Sequence, residues 1–105
     1  MLHTPSEVKE RIEGYTAMVD EKILAYYTRN KFTFEAAPKS RVEYGRKFAR
    51  VFQGSGVHTF IDLSNGDILK AATYKAPAPN GVRGNIFAED FGASVVNEHG
   101  ANYLK

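Results

Sequence analysis

Between Val8 and Tyr26 the apolar positions recur at intervals of three and four: Val8, Ile12, Tyr15, Val19, Ile23 and Tyr26. A chain with 3.6 residues per turn gathers such positions on one face, so the spacing predicts an amphipathic helix over residues 5–29. Its stripe is expected to meet a core or another subunit. The start is marked chemically. Thr4 is placed to act as N-cap, Pro5 takes the first helical position, and Glu7 stands three residues after the cap, the pattern of a reciprocal capping box. Gly14 interrupts the run at a cost of about 1 kcal/mol relative to alanine.

After Asn30 the period falls to two. Phe32 and Phe34 alternate with Lys31, Thr33 and Glu35, which predicts a half-buried strand ending before Pro38, with a turn through Ser40. Arg41 to Gln53 reads as a second strand with Val42, Tyr44, Arg46, Phe48, Arg50 and Phe52 on one face. A bulge at Gly45 would switch faces and resolve the mixture of arginine and phenylalanine. The same stretch also fits a helix from Val42 to Phe52. Gly54-Ser55-Gly56 reads as a turn. Val57–Leu63 and Asp67–Tyr74 then flank Ser64-Asn65-Gly66, a hairpin turn in which both Asn and Gly accept positive φ. The two prolines in Ala76–Gly81 predict an extended loop, and Val82–Ala88 a last strand. From residue 89 to 105 the pattern weakens to a short strand or an irregular tail. The expected class is therefore α+β, mainly β, with a β region over 31–88 in one domain, 1–105.

Composition agrees with a single core. The chain has 105 residues, 43% apolar and 25% charged, the balance of an ordinary globular domain. It has no cysteine, which excludes disulfides, thiolate zinc sites and a cysteine nucleophile. No apolar run reaches the length of a membrane span, and Met1–Pro5 lacks the basic start of a secretory signal, so the reading is a cytoplasmic protein without a membrane partner. The net charge is +2, but residues 31–53 alone carry +4 while 1–30 carry −1 and 89–105 carry −2. A basic middle between acidic ends points to a local surface for an anionic partner.

Candidate chemistry is sparse. His3, His58 and His99 are dispersed, so neither a metal site nor a cofactor is expected. Asp62 and Asp67 bracket the Asn-Gly turn, where aspartate bonds nearby backbone donors, a better reading than a catalytic carboxylate pair. The glycine clusters at 54–56 and 81–84 do not match a phosphate loop, and no nucleophile–base pair is visible, so no catalytic residue is assigned. The remaining constellation interleaves cations and aromatics: Lys39, Arg41, Tyr44, Arg46, Lys47, Phe48 and Arg50. Cations neutralise phosphates and exposed rings stack on unpaired bases. The competing reading is a strand with buried aromatics and solvated cations. The expected nucleic-acid-binding residues are Arg41, Tyr44, Arg46, Lys47, Arg50, Tyr74 and Arg83.

The run Gly66-Asp67-Ile68-Leu69-Lys70-Ala71-Ala72-Thr73-Tyr74-Lys75-Ala76-Pro77-Ala78, closed by Arg83-Gly84-Asn85-Ile86-Phe87 and preceded by Val57–Asp62, resembles a segment of small proteins of tailed bacteriophages, many of them marine. That resemblance implies a phage origin and transfers no catalytic residue. A helix followed by five strands is also similar in order to the Sm/Lsm-like small barrels. There Val82-Arg83-Gly84 looks like part of the second Sm motif, and Asp62 with Asn65 resembles the Asp and Asn of the first. This second resemblance implies a five-stranded antiparallel small barrel, Sm-like or SH3-like, whose subunits join edge to edge into rings that bind RNA. The expected function is a non-enzymatic, phage-type binding protein, an Sm-like nucleic-acid-binding accessory that forms a homo-oligomer and takes single-stranded RNA or DNA. The alternative is an oligomeric structural or protein-interaction module with no nucleic-acid role.

Overall fold

The computed structural model describes residues 4–31, 39–53, 56–73, 75–97 and 100–101. One helix, α1 (Pro5–Arg29), precedes a β region of β1 (Ser40–Tyr44), β2 (Phe48–Gln53), β3 (Gly56–Asp62), β4 (Asp67–Ala71) and β5 (Pro77–Asn85). A 3-10 turn at Ala93–Val95 and a short pair, β6 (Val96–Asn97) and β7 (Gly100–Ala101), follow. The five longer strands form one antiparallel sheet in sequence order, with β1 and β5 at its edges. The fold is thus mainly β with one N-terminal helix.

The start of α1 carries the expected reciprocal bonds. The Glu7 N–H donates to Thr4 Oγ1 at 3.1 Å and the Thr4 N–H donates to Glu7 Oε1 at 2.9 Å. Val8, Ile12, Tyr15, Val19 and Ile23 are buried and pack in one core with Ala49, Val51, Ile61, Ile68, Ile86 and Val96. Tyr26, the last member of the expected stripe, is half-buried. Each isoleucine so buried contributes about 1.5–3 kcal/mol, so the stripe outweighs the weak propensity terms of the helix.

Arg41–Gln53 is a hairpin, neither one bulged strand nor a helix. Residues 45–47 form the turn, closed by Gly45 N–H donating to the Phe48 carbonyl at 2.9 Å. The face switch expected at Gly45 does occur, but a chain reversal makes it: Tyr44 pairs with Ala49 and Val42 with Val51. The bulge lies elsewhere. Val51 pairs with Thr59 and Phe52 with Val57, so His58 is the extra residue on β3.

The β3–β4 hairpin forms where Asn65-Gly66 predicts it, yet only Gly66 takes positive φ, at 80°. The Asp62 carbonyl accepts from Gly66 N–H at 2.7 Å, and Asp62 Oδ1 accepts from Ser64 N–H at 2.9 Å and from its hydroxyl at 2.6 Å. Asp67 Oδ1 accepts from Asn85 Nδ2 at 3.0 Å. Both carboxylates are therefore engaged with the turn and its neighbour.

The loop expected over Ala76–Gly81 is instead largely strand, since β5 begins at Pro77 and runs to Asn85 rather than starting at Val82. An edge strand tolerates proline because an absent N–H need not interrupt the ladder. The register against β4 shifts twice, Leu69 pairing with Val82 and Ala71 with Pro77. Gly81 fits this irregularity because a Cβ there would stand 2.8 Å from the Ala78 carbonyl oxygen. Beyond β5, Asp90 accepts from Gly92 N–H at 2.9 Å and Ser94 N–H at 3.0 Å, and these donors hold its carboxyl below the usual range. Of the strand expected at residues 31–35, Lys31 lies instead in the turn that ends the helix, with φ 60° and its N–H donating to the Thr28 carbonyl at 3.1 Å, and residues 32–35 lie outside the described residues.

The helix is fastened to the β region at two points along its length. Asp20 Oδ1 accepts from Ser40 N–H at 2.7 Å, at the start of β1. Arg11 donates through Nε to the Ile86 carbonyl at 2.8 Å and through Nη2 to the Ala88 carbonyl at 2.6 Å. Its guanidinium lies 3.6 Å from the centre of the Phe91 ring. Gly14 makes room for that ring: a Cβ at Gly14 would lie 2.2 Å from Phe91 Cε1.

Candidate nucleic-acid interface

Because β2 alternates, Ala49 and Val51 enter the core while Phe48, Arg50 and Phe52 share the opposite face of the sheet. On that face Arg41 lies opposite Phe52, Glu43 opposite Arg50, and Phe60 opposite Arg50. The Arg41 and Arg50 guanidiniums stand 4.3 and 5.7 Å from the Phe52 ring centre, which covers the ring with stacked cations. Glu43 pairs with Arg41 and, at 3.4 Å, with Arg50. Phe48 meets the buried Phe60 edge to face, ring centres 5.9 Å apart.

A shallow cleft of about 270 Å³ opens beside this pair, lined by Gly45, Arg46, Lys47, Phe48, Arg50, Phe60 and Lys75. The β1–β2 turn supplies Arg46 and Lys47, β2 supplies Arg50, and the connection from β4 to β5 carries Lys75 to the same place. Lys47 Nζ is 5.3 Å from the centre of the Phe48 ring. Arg46 and Lys47 are exposed and neither meets a carboxylate among the described residues. Chemically the cleft brings four cations together with one buried and one half-buried ring, a lining suited to an anion attached to a flat apolar group.

The expected residues are divided by the fold. Arg46, Lys47 and Arg50 converge on the cleft, and Arg41 extends the same sheet face through Phe52 and Glu43. Tyr44 faces the helix side, where it lines a separate apolar cleft of about 360 Å³ with Pro5, Val8, Lys9 and Leu63. It is 49% exposed, and partial burial followed by the Glu13 charge raises its phenol above the ordinary value. Arg83 lies on β5, three strands from β2, and donates to the Val82 carbonyl at 3.3 Å. Tyr74 lies outside the described residues. Lys75 and Phe60 join the cleft without having been singled out in the sequence. A cation in the connection after β4 was the available signal for Lys75.

Across the sheet, the helix-facing side holds a buried polar cluster. Tyr15 and Thr59 share a hydroxyl–hydroxyl hydrogen bond of 2.6 Å, and His58 Nδ1 lies 3.1 Å from Thr59 Oγ1 and 3.4 Å from the Tyr15 hydroxyl. The bulge lets the neighbours His58 and Thr59 both present polar atoms to Tyr15. Burial pushes the Tyr15 phenol well above its ordinary value, against the smaller opposing effect of the Thr59 hydrogen bond. Among the described residues no group of three metal-ligating side chains comes together, and no helix is long and apolar enough to cross a membrane.

These features define a small helix-plus-antiparallel-sheet domain with a cationic, partly aromatic cleft at one hairpin tip. The chain belongs to a family of unknown function, DUF7717, whose model matches residues 3–102. No curated protein and no solved structure matches it.

Proposed function

We propose that this domain is a non-enzymatic binding protein that engages single-stranded nucleic acid through the cleft at the β1–β2 tip. The observation that carries the reading is the meeting of Arg46, Lys47, Arg50 and Lys75 around Phe48 and Phe60, from turns about thirty residues apart in sequence. Phosphates are neutralised by the cations while an unpaired base reaches the Phe48 ring, an arrangement a paired duplex would not offer. An accessory role in a phage-infected cytoplasm accords with the phage-type sequence resemblance. The Sm-like part of the reading rests on the helix-then-strands order, and a closed barrel would require β1 to pair with β5.

The test is a fluorescence anisotropy titration with single-stranded DNA and RNA at two salt concentrations. Binding should weaken steeply with salt, and replacing Arg46, Lys47 and Arg50 together with glutamine should flatten the salt slope by up to about three. Wild-type protein that binds neither strand at low ionic strength would remove the proposal.

A second reading, an oligomeric interaction module, is favoured by one feature: the apolar cleft of Pro5, Val8, Tyr44 and Leu63 beside the edge strand β1. Light scattering over a concentration series decides it. A mass that stays at 11.7 kDa removes self-association.

A further inference from the structure

We infer that the cleft is selective for a phosphomonoester dianion, the terminal phosphate of a strand, over the diesters within it. This deepens the nucleic-acid reading and rests on it. Arg46 and Lys47 are adjacent, exposed and without a carboxylate among the described residues, so two positive charges at one turn await a ligand that brings its own charge. An internal diester offers one negative charge. A terminal phosphate carries about −1.5 to −2 near neutral pH and three strong acceptor oxygens, which matches two neighbouring cations more closely.

Size is compatible with this. At about 270 Å³ the cleft has room for one nucleotide-sized group. Its lining joins the half-buried Phe48, packed edge to face on the buried Phe60, to Arg46, Lys47 and Lys75, so a base reaches the Phe48 ring while its phosphate meets the cations.

The experiment compares single-stranded oligonucleotides of one sequence bearing a 5′-phosphate, a 3′-phosphate or only hydroxyl ends. A hydroxyl-ended strand two nucleotides longer controls for added charge. Inorganic phosphate and a nucleoside monophosphate serve as competitors, separating a strand-attached phosphate from the isolated group. A terminal phosphate should tighten binding by about three- to tenfold beyond the longer control, an advantage set by charge-assisted contacts partly screened by salt. Replacing Arg46 and Lys47 with glutamine should abolish that advantage while leaving the thermal unfolding midpoint in place. Equal affinity for phosphorylated and control strands would overturn the inference while leaving salt-sensitive nucleic-acid binding intact. Absence of binding to every strand would overturn both. Displacement of the strand by inorganic phosphate as readily as by the nucleoside monophosphate would show that a phosphate is recognised without its nucleotide, and would overturn the strand-end reading.

Discussion

The Tyr15 hydroxyl lies 2.6 Å from Thr59 Oγ1 in the interior between helix and sheet, with both residues fully buried. The helix is therefore tied to the third strand by a directional bond as well as by apolar packing. Removing one partner of a buried pair leaves the other short of a bond, so Tyr15→Phe should cost about 1–3 kcal/mol in urea unfolding. If stability is unchanged, Thr59 is satisfied by His58 alone.

The same tyrosine sets an alkaline limit. Its folded pKa is raised above the ordinary value of about 10, so its contribution is fully present below that pH. The contribution is lost as pH rises above it, because the unfolded chain ionises first. Wild-type stability should fall as pH is taken above about 10, and Tyr15→Phe should fall less steeply over that window. Parallel curves for the two proteins would count against a buried, protonated phenol.

Gly14→Ala tests packing against propensity. Helix propensity alone favours alanine by about 1 kcal/mol, but the new Cβ would stand 2.2 Å from Phe91 Cε1. Overpacking should reverse the sign and destabilise the protein by about 1–3 kcal/mol in chemical denaturation. A stabilised variant would mean that the Phe91 ring is not held against the helix.

Arg11→Met should lower stability by about 1–3 kcal/mol, through the loss of two charge-assisted bonds to carbonyls and of the stack on Phe91. Arg11→Lys should lose part of that, since an ammonium cannot span both carbonyls as the planar fork does. Thermal melts of the two variants give the comparison.

Within the binding proposal, Lys75→Gln and Arg83→Gln separate the cleft from the rest of the sheet. Lys75 lines the cleft and Arg83 sits three strands from β2. Loss of one phosphate contact should weaken strand binding by about three- to tenfold in the Lys75 variant, with the Arg83 variant unchanged in the same titration.

Local chemistry made some of the architecture legible. The Thr4–Glu7 box, the stripe from Val8 to Ile23 and the hairpin around Gly66 each depend on neighbours a few residues apart, and each appears in the structure. The boundary between β1 and β2 was not legible, because Arg46 continues the even-numbered alternation through what is a turn. Pro77 and Pro79 read as loop until β5 is known to be an edge. In the cleft, Arg46, Lys47 and Arg50 belong to one run and were visible together. Lys75 and Phe60 arrive from other hairpins, and the turning of His58 toward Tyr15 depends on a register shift that residue order does not announce.

The bond from Arg11 to the Ile86 carbonyl spans 75 residues of chain. During synthesis α1 leaves the ribosome long before its acceptor exists, and at about 5–20 residues per second the interval is roughly 4–15 s. Throughout that time the apolar stripe from Val8 to Ile23 has no complete sheet to lie on, and a solitary helix of this kind holds its shape only marginally in water. The closure of the helix onto the sheet thus comes late, and until then the newborn chain offers to chaperones and proteases an apolar stripe that is wholly covered in the finished molecule.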